Sequence, residues 1–226
     1  MSAGVISSNS CMKNLSFLDF VFPSRCAVCE ALGPNLCKDC HQVLTPSPHG
    51  FKRGPVVGRA ATFLSPEVSK LLVSFKDRGQ SGLVSDLNTL IAPLVAELAA
   101  FSENVYLVPA PSRLENFARR GFTPSIVLAR ALSNQAANTR VMNALMLAKH
   151  VKDQVGLSSS QRHANLAGSM SLNQKVAGKP CFVVDDICTT GATIIEAWRA
   201  LSVGGANVLG ALVVSESKPA LAQSIG

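Results

Sequence analysis

The stretch FVVDDICTTGATI, residues 182–194, constrains the fold more than any other part of the chain. Apolar residues lead into two adjacent acids, and Thr-Thr-Gly follows before an apolar helical pattern begins. This order predicts a buried strand that ends at Asp185 and Asp186, then a loop, then a helix. Neighbouring carboxylates repel each other unless a cation or a hydroxyl-rich ligand offsets their charge. The stretch therefore predicts a ligand site at the end of a strand.

The same order of strand and helix recurs along the chain. Short apolar runs predict strands at GRAATFL, NVYLVPA, CFVVDD and NVLGALVVS. Helical spacing of apolar residues predicts helices at SPEVSKLLVSFK, SDLNTLIAPLVAELAAF, TPSIVLARALSNQ and TIIEAWRALSVGG. The run VMNALMLAKH fits a strand and a helix about equally. Alternating strands and helices predict an α/β fold, with a parallel sheet covered by helices on both faces.

The length of 226 residues is typical of one main domain with a small appendage. Pro and Gly cluster without periodicity in residues 45–55, which predicts an N-terminal segment over residues 1–50 and a main domain over residues 51–226. No apolar run reaches the roughly 18 residues of a membrane span. The early run LSFLDFVF is interrupted by Asp19 and makes a poor signal peptide, so we expect a cytoplasmic protein.

Four cysteines in the N-terminal segment have the spacing of a metal site. Cys26, Cys29, Cys37 and Cys40 read C-x2-C-x7-C-x2-C. Each C-x2-C pair lets two thiolates bind one ion, and two pairs complete a tetrahedral sulfur site. In a chain without a secretion signal this spacing favours structural zinc over disulfides, with a redox pair or chance clustering as alternatives. His41 is a less favoured substitute ligand.

The net charge of +7 is concentrated in one segment. Between Arg113 and His163 eight basic residues face two acids, Glu115 and Asp153. A concentrated positive field favours an anionic partner, either a phosphorylated small molecule or a nucleic acid. A solvated basic face is the alternative.

The loop after the acidic pair has the features of an anion site. Backbone N–H groups and the hydroxyls of Thr189, Thr190 and Thr193 converge on a helix N-terminus, which carries a partial positive charge. Gly191 permits close approach of the backbone to a phosphate. A 5-phosphorylated ribose satisfies both halves of the stretch, because its phosphate suits the loop and its 2- and 3-hydroxyls suit the two acids.

These residues resemble the binding loop of phosphoribosyltransferases that use phosphoribosyl diphosphate. Together with LVPAPSRLENFARRGF, QVGLSSSQRHANLAG and the cysteine module, they make the chain similar to the ComF family of amidophosphoribosyltransferase-like proteins over roughly residues 15–215. The resemblance implies a type I phosphoribosyltransferase-like sheet behind a small zinc module. Members of that family are associated with DNA uptake in competent bacteria.

The resemblance also implies roles for individual residues. Asp185 and Asp186 correspond to the ribose-binding acids. The loop positions correspond to the binding site of the 5-phosphate, and they are Thr189, Thr190, Gly191, Ala192 and Thr193. The turn of Pro111, Ser112 and Arg113 corresponds to the loop that meets the diphosphate. Arg119 and Arg120 lie in the basic Arg-Gly-Phe signature, and residues 149–165 correspond to a mobile loop that closes over the substrate.

Two positions depart from the pattern of that family. Relatives often carry arginines in the strand before the mobile loop, whereas this chain has Ala148, Lys149 and His150. Thr123 stands where Asn is usual, and both residues serve as helix caps. The cation that meets the diphosphate is therefore open, and the candidates are Arg113, Lys149, Lys152 and Arg162.

A transferase with this site would displace diphosphate from the anomeric carbon with a nitrogen nucleophile. The protein would hold the ribose, neutralise the leaving group and exclude water. Mg²⁺ would share that work, because it prefers phosphate oxygens as ligands. The acceptor is not specified by any residue pattern.

A different class of function is an accessory factor in DNA uptake, which would bind single-stranded DNA or a helicase partner through the zinc module and the basic segment. Stacking surfaces for single strands combine basic and aromatic residues. Here only Phe117 and Phe122 interleave the basic residues, which favours the enzyme. An oligomer is possible in either case.

Overall fold

The computed structural model describes residues 25–77, 83–147 and 167–217. The strands in those ranges are β1 (His49–Arg53), β2 (Val56–Phe63), β3 (Val105–Pro109), β4 (Thr139–Val141), β5 (Leu145–Leu147), β6 (Met170–Leu172), β7 (Pro180–Cys188) and β8 (Asn207–Glu216). The helices there are α1 (Lys38–Val43), α2 (Pro66–Asp77), α3 (Leu83–Ala99), α4 (Leu114–Arg120), α5 (Pro124–Ser133) and α6 (Ala192–Val203). Within those ranges, no helix combines the length and the apolar character that crossing a membrane requires.

Six of these strands form one sheet in the order β1-β2-β8-β7-β3-β4. Every pairing in it is parallel except that of β1 with β2, which form an antiparallel hairpin at one edge. The predicted parallel α/β sheet is thereby confirmed. The ambiguous run around Leu145 forms β5, which pairs antiparallel with β6 outside the main sheet.

Apolar residues cover both faces of the sheet. On one face, the apolar sides of α2, α3 and α5 pack together with the cysteine module. On the other face, α6 packs with β5 and β6. The central strands are apolar on both sides, as expected for a parallel sheet between two layers.

The helix ends follow the sequence signals in most places. Ser65 accepts a hydrogen bond from the Val68 backbone N–H at 3.2 Å, so it caps α2 as expected. Helix α3 runs from Leu83 to Ala99 and continues through Pro93. Thr123 precedes α5 in an extended conformation and makes no capping bond through its side chain.

Candidate functional site

Two loops meet at the carboxyl edge of the sheet, between β3 and β7. The chain runs outward from β3 to β4 by way of α5, and in the opposite direction from β7 to β8 by way of α6. Helices α5 and α6 lie on opposite faces of the sheet. The loops after β3 and β7 therefore start side by side at one edge and then turn toward opposite faces. A crevice at such a reversal of strand order is where open α/β sheets bind ligands.

The loop after β3 is tied to β7 next to the acidic pair. The backbone N–H of Ala110 donates to the carbonyl of Val184 at 2.9 Å, and Ser125 Oγ donates to the carbonyl of Ala110 at 2.6 Å. The following turn, residues 111–113, is half-buried and leads into α4. Arg119 and Arg120 lie in the last turn of α4, with Arg119 exposed to solvent.

The acidic pair lies inside β7, and the strand does not end there. Ladder pairs with β8 continue to Cys188, which lies opposite Glu216. The prediction of a strand end at Asp186 is wrong by two residues, because the long partner strand β8 extends the ladder. Adjacent residues of a strand point to opposite faces. Asp185 lines the cleft beside the loop, whereas Asp186 is buried and points toward α2.

Each carboxylate also accepts a backbone hydrogen bond. The N–H of Asp186 donates to Asp185 Oδ1 at 2.9 Å, and the N–H of Ile187 donates to Asp186 Oδ1 at 2.7 Å. Burial raises the pKa of Asp185 to about 7, and the neighbouring Asp186 carboxylate adds to this rise while Lys76 opposes it. The acid that faces the cleft therefore titrates near neutral pH.

The loop after β7 forms the wall of the cleft. The cleft is lined by Asp185 and by residues 187–194, which include all the positions predicted for phosphate binding. Gly191 has φ +80° and precedes the first residue of α6. The Ala192 N–H donates to Thr190 Oγ1 at 3.3 Å, which ties this hydroxyl to the first residue of α6. Threonine hydroxyls, backbone N–H groups and a helix N-terminus thus share one concave surface.

Arg53 supports this loop from behind. A Cβ atom on Gly191 would lie 2.6 Å from the Cβ of Arg53, so only glycine allows this approach. Arg53 Nε donates to the carbonyl of Thr189 at 3.2 Å, and its guanidinium pairs with Glu216. His49 Nε2 lies 3.0 Å from the same carboxylate. The β1 hairpin is thereby attached to the ligand loop.

Lys76, near the end of α2, is a site residue that the sequence analysis missed. Its Nζ lies 2.6 Å from Asp186 Oδ2. A signal was present, since Lys76 follows Val68 and Leu72 at spacings of four residues and both of these are buried. A lysine that continues the buried stripe of an amphipathic helix is placed against the interior and not toward solvent.

The remaining predicted cations are not described by the structure. Lys149, Lys152 and Arg162 lie outside the described residues.

Strand β6, which follows that segment, is anchored on α6. Glu196 accepts a hydrogen bond from the Met170 N–H at 3.0 Å, and Arg199 donates to the Met170 carbonyl at 3.0 Å.

The four cysteines lie together, as their spacing predicts. Their sulfur atoms are all within 4.8 Å of one another, and those of Cys29 and Cys37 are 3.9 Å apart. Zinc–sulfur bonds of about 2.3 Å in a tetrahedron require sulfur atoms about 3.8 Å apart. Burial and neighbouring thiols raise the pKa of Cys40, and a cation would offset that effect. The four sulfur atoms could hold one metal ion.

The cysteine module packs directly on α2. Cys26, Ala27 and Val28 belong to the same apolar cluster as the buried face of that helix. Ser74 Oγ donates to the carbonyl of Ala27 at 3.3 Å. The module therefore supports the helix that carries Lys76.

Residues 118–222 match the family described as the phosphoribosyl transferase domain. Over 133 residues the chain is 31% identical to an adenine phosphoribosyltransferase of Polynucleobacter asymbioticus, an alignment that covers 56% of this chain and 74% of that protein. It is 28% identical to the DNA utilization protein YhgH of Escherichia coli O157:H7 over 195 residues, covering 80% of this chain and 85% of the relative. A solved adenine phosphoribosyltransferase from Saccharomyces cerevisiae is 17% identical, with a TM-score of 0.40 and coverage of 79% of this chain and 88% of that one.

Proposed function

The chain belongs to the phosphoribosyltransferase family, and we propose that it binds phosphoribosyl diphosphate between β3 and β7 and transfers the phosphoribosyl group to a base or amine. The observation that carries this proposal is the cleft that joins Asp185 to the loop of residues 187–194. One surface offers a carboxylate for sugar hydroxyls, and hydroxyls with backbone N–H groups for a phosphate. A phosphorylated ribose requires both.

The 5-phosphate would bind to residues 189–193. The glycine at 191 brings the backbone close to the ligand, and the helix that starts at Ala192 directs its partial positive charge at the same point. Arg53 supports the loop from the side of β1. A loop that is already in place loses less entropy when the ligand binds.

The ribose would bind at the acidic pair, with its hydroxyls on Asp185. Asp185 lines the cleft and would accept hydrogen bonds from the 2- and 3-hydroxyls. Asp186 would contribute its negative charge from the other side of the strand, where Lys76 compensates it. A carboxylate near the ring also favours the positive charge that develops on the sugar in the transition state.

In the reaction, the bond from the anomeric carbon to the diphosphate oxygen breaks and a bond to the acceptor nitrogen forms. The nitrogen loses its proton, and diphosphate leaves with the electron pair of the broken bond. Pro111, Ser112 and Arg113 are proposed to hold the diphosphate, because they directly follow Ala110, whose N–H is bonded to the carbonyl of Val184 next to the acidic pair. Mg²⁺, when bound with phosphoribosyl diphosphate, would supply positive charge that stabilises the leaving diphosphate. Arg119, Arg120, Lys149, Lys152 and Arg162 are proposed as further cations for it.

The four-cysteine module is proposed to hold structural zinc. All four positions are thiols at distances that fit the ion, so no open coordination position is left for catalysis. A thiolate site of this kind is typical of proteins that act in a reducing compartment, which favours the cytoplasm.

The experiment that tests the transferase is release of diphosphate from phosphoribosyl diphosphate with Mg²⁺, measured across a panel of purine and pyrimidine bases and ammonia. We expect release that depends on one acceptor and is lost in Asp185→Asn. Glu103→Gln, which alters an exposed acid away from the cleft, is the matched control and should retain activity. No acceptor-dependent release, with the protein folded, would refute the transferase.

A second candidate function is contact with single-stranded DNA or a helicase partner during DNA uptake. The observation in its favour is α4, where Phe117 is 49% exposed on a helix whose last turn carries Arg119 and Arg120. An exposed aromatic ring on a basic helix is a small stacking surface. Fluorescence anisotropy with a labelled oligonucleotide tests it, because Phe117→Ala should weaken binding while Asp185→Asn should not. Equal binding by the wild type and Phe117→Ala would exclude this surface.

A further inference from the structure

The acidic pair is asymmetric in its contacts, which bears on how the proposed ribose site works. Asp186 has both carboxylate oxygens engaged, with Oδ1 accepting from the Ile187 N–H at 2.7 Å and Oδ2 lying 2.6 Å from Lys76 Nζ. Its side chain is only 8% exposed. Asp185 instead lines the cleft. A ligand in the cleft therefore meets Asp185, whereas Asp186 is engaged by α2.

Lys76 is held in place by the packing of its helix. It lies on the stripe formed by Val68 and Leu72, and its side chain is 24% exposed. The cysteine module packs on the same helix. The ammonium group therefore approaches the strand from a fixed direction, and its charge is only partly solvated.

We propose that Lys76 is a positioning residue, which holds Asp186 as a carboxylate turned toward α2 and so leaves Asp185 as the single acid that binds the ribose hydroxyls. This inference rests on the proposed function for its ligand, but its electrostatic part concerns the free protein. Two buried carboxylates side by side would otherwise share a proton at neutral pH. One lysine on Asp186 confines the remaining proton equilibrium to Asp185, the acid that faces the cleft.

Other charged groups lie near the pair but belong to a different network. Arg53, His49 and Glu216 form one cluster behind the loop, and Arg53 reaches the carbonyl of Thr189. Lys76 is the cation that the described residues place in contact with the acidic pair. Removing the charge of Lys76 should consequently affect Asp185 and Asp186 more than the network of Arg53, His49 and Glu216.

The test is a carboxyl NMR titration of the free protein, comparing wild type with Lys76→Met and Lys76→Arg. An opposite charge within 4–6 Å typically lowers the pKa of an acid by about 1–3 pH units. In Lys76→Met we expect the pKa of Asp185 to rise by about one pH unit, because Lys76 opposes that rise in the wild type, and in Lys76→Arg we expect it to stay near the wild-type value. Lys70→Met, which alters an exposed lysine on the same helix, should leave it unchanged.

A double variant separates electrostatics from folding defects. Lys76→Met/Asp186→Asn removes both charges, so the titration of Asp185 should return toward its wild-type midpoint. A midpoint in Lys76→Met equal to that of the wild type would overturn the inference. So would a rise that persists in the double variant, because that would mark general disruption of the site.

The ligand is tested separately, with phosphoribosyl diphosphate and Mg²⁺ in calorimetry. Affinity should rise with pH as Asp185 ionises, and Lys76→Met should move this rise to higher pH. Because the wild-type pKa is about 7, binding at pH 7 should weaken about fivefold for the first pH unit by which the pKa of Asp185 increases, and about tenfold for each further unit. An unchanged pH profile in Lys76→Met would contradict the positioning role. Absence of binding by the wild type would instead refute the proposed function, and the carboxyl titration would still decide the role of Lys76.

Discussion

Arg53, the last residue of β1, and Glu216, the last residue of β8, form an ion pair in which Arg53 Nη2 and Glu216 Oε1 are 2.5 Å apart. Both side chains are largely buried, at 15% and 5% exposure. The pair connects the edge hairpin to the carboxyl end of the sheet, and Arg53 continues from there to the carbonyl of Thr189. The shape of the ligand loop therefore depends on a strand that is remote from it in the sequence.

Glu216→Gln should destabilise the protein, because it leaves a buried guanidinium without its counter-charge. We expect a loss of about 3 kcal/mol in the free energy of unfolding. Denaturant unfolding measures it. Arg59→Met is the matched control, since Arg59 pairs with Glu97 on the surface at 46% and 34% exposure and should cost below about 1 kcal/mol. Equal losses in the two variants would contradict a special role for the buried pair.

Gly191→Ala should impair the ligand loop beyond the ordinary cost of a left-handed residue. Gly121 and Gly191 have similar angles, φ +76° and +80°, but a Cβ atom at 121 meets nothing within 4 Å, whereas one at 191 collides with Arg53. Gly121→Ala should cost about 1 kcal/mol, and Gly191→Ala should cost more. Affinity for phosphoribosyl diphosphate, measured by calorimetry, should fall only in Gly191→Ala. Parallel effects in both variants would refute the close approach.

The raised pKa of Asp185 predicts a pH dependence of stability. Its pKa is about 7 in the folded protein against an ordinary value of 3.8, so the folded state binds the proton more tightly than the unfolded state. The contribution of Asp185 to the free energy of unfolding is fully present below about pH 4, and it is lost as the pH rises through 7. Asp185→Asn should therefore gain about 4 kcal/mol relative to wild type between pH 4 and pH 8. Thermal or denaturant unfolding at both pH values checks this, and a constant difference would show that Asp185 has an ordinary pKa.

Removal of one cysteine ligand should release the metal and loosen α2. Wild-type protein should contain one zinc ion per chain by elemental analysis, and Cys37→Ser should contain much less. We expect it to lose at least about 3 kcal/mol of stability, because binding free energy at such a site is folding free energy. Cys181→Ala is the control, since Cys181 is a buried residue of β7 away from the quartet. Full zinc content in Cys37→Ser would contradict the four-thiolate site.

Local patterns predicted the elements and the main loop because each signal is short in sequence. The strand of residues 182–186, the glycine at 191 and the helix after it are contiguous, so the βα unit and its ligand loop could be identified without tertiary information. The four-cysteine spacing is equally local, and the cysteines cluster as expected. The resemblance to the ComF family is confirmed by the relatives that share most of this chain.

The residues that the sequence analysis missed reach the site across the fold. Arg53 and Lys76 belong to an edge strand and a helix that come more than a hundred residues before the loop in sequence. Their roles depend on the assembled sheet, in which β8 lies between the β1–β2 hairpin and β7, and on the packing of α2, which brings Lys76 to Asp186. The sequence also does not show which group each acid contacts, because neighbouring residues of a strand point to opposite faces of the sheet. Only the folded sheet shows that Asp185 lines the cleft whereas Asp186 contacts α2.

The measurement that tests the central claim most directly is a calorimetric titration of zinc-replete protein with phosphoribosyl diphosphate and Mg²⁺. The wild type is compared with Asp185→Asn, Asp185→Asn/Asp186→Asn and the control Glu103→Gln. We predict micromolar binding in the wild type and the control, and loss of binding in both aspartate variants. Binding of equal strength in all four proteins, or in none of them, would contradict a ribose phosphate site at Asp185 and the loop after β7.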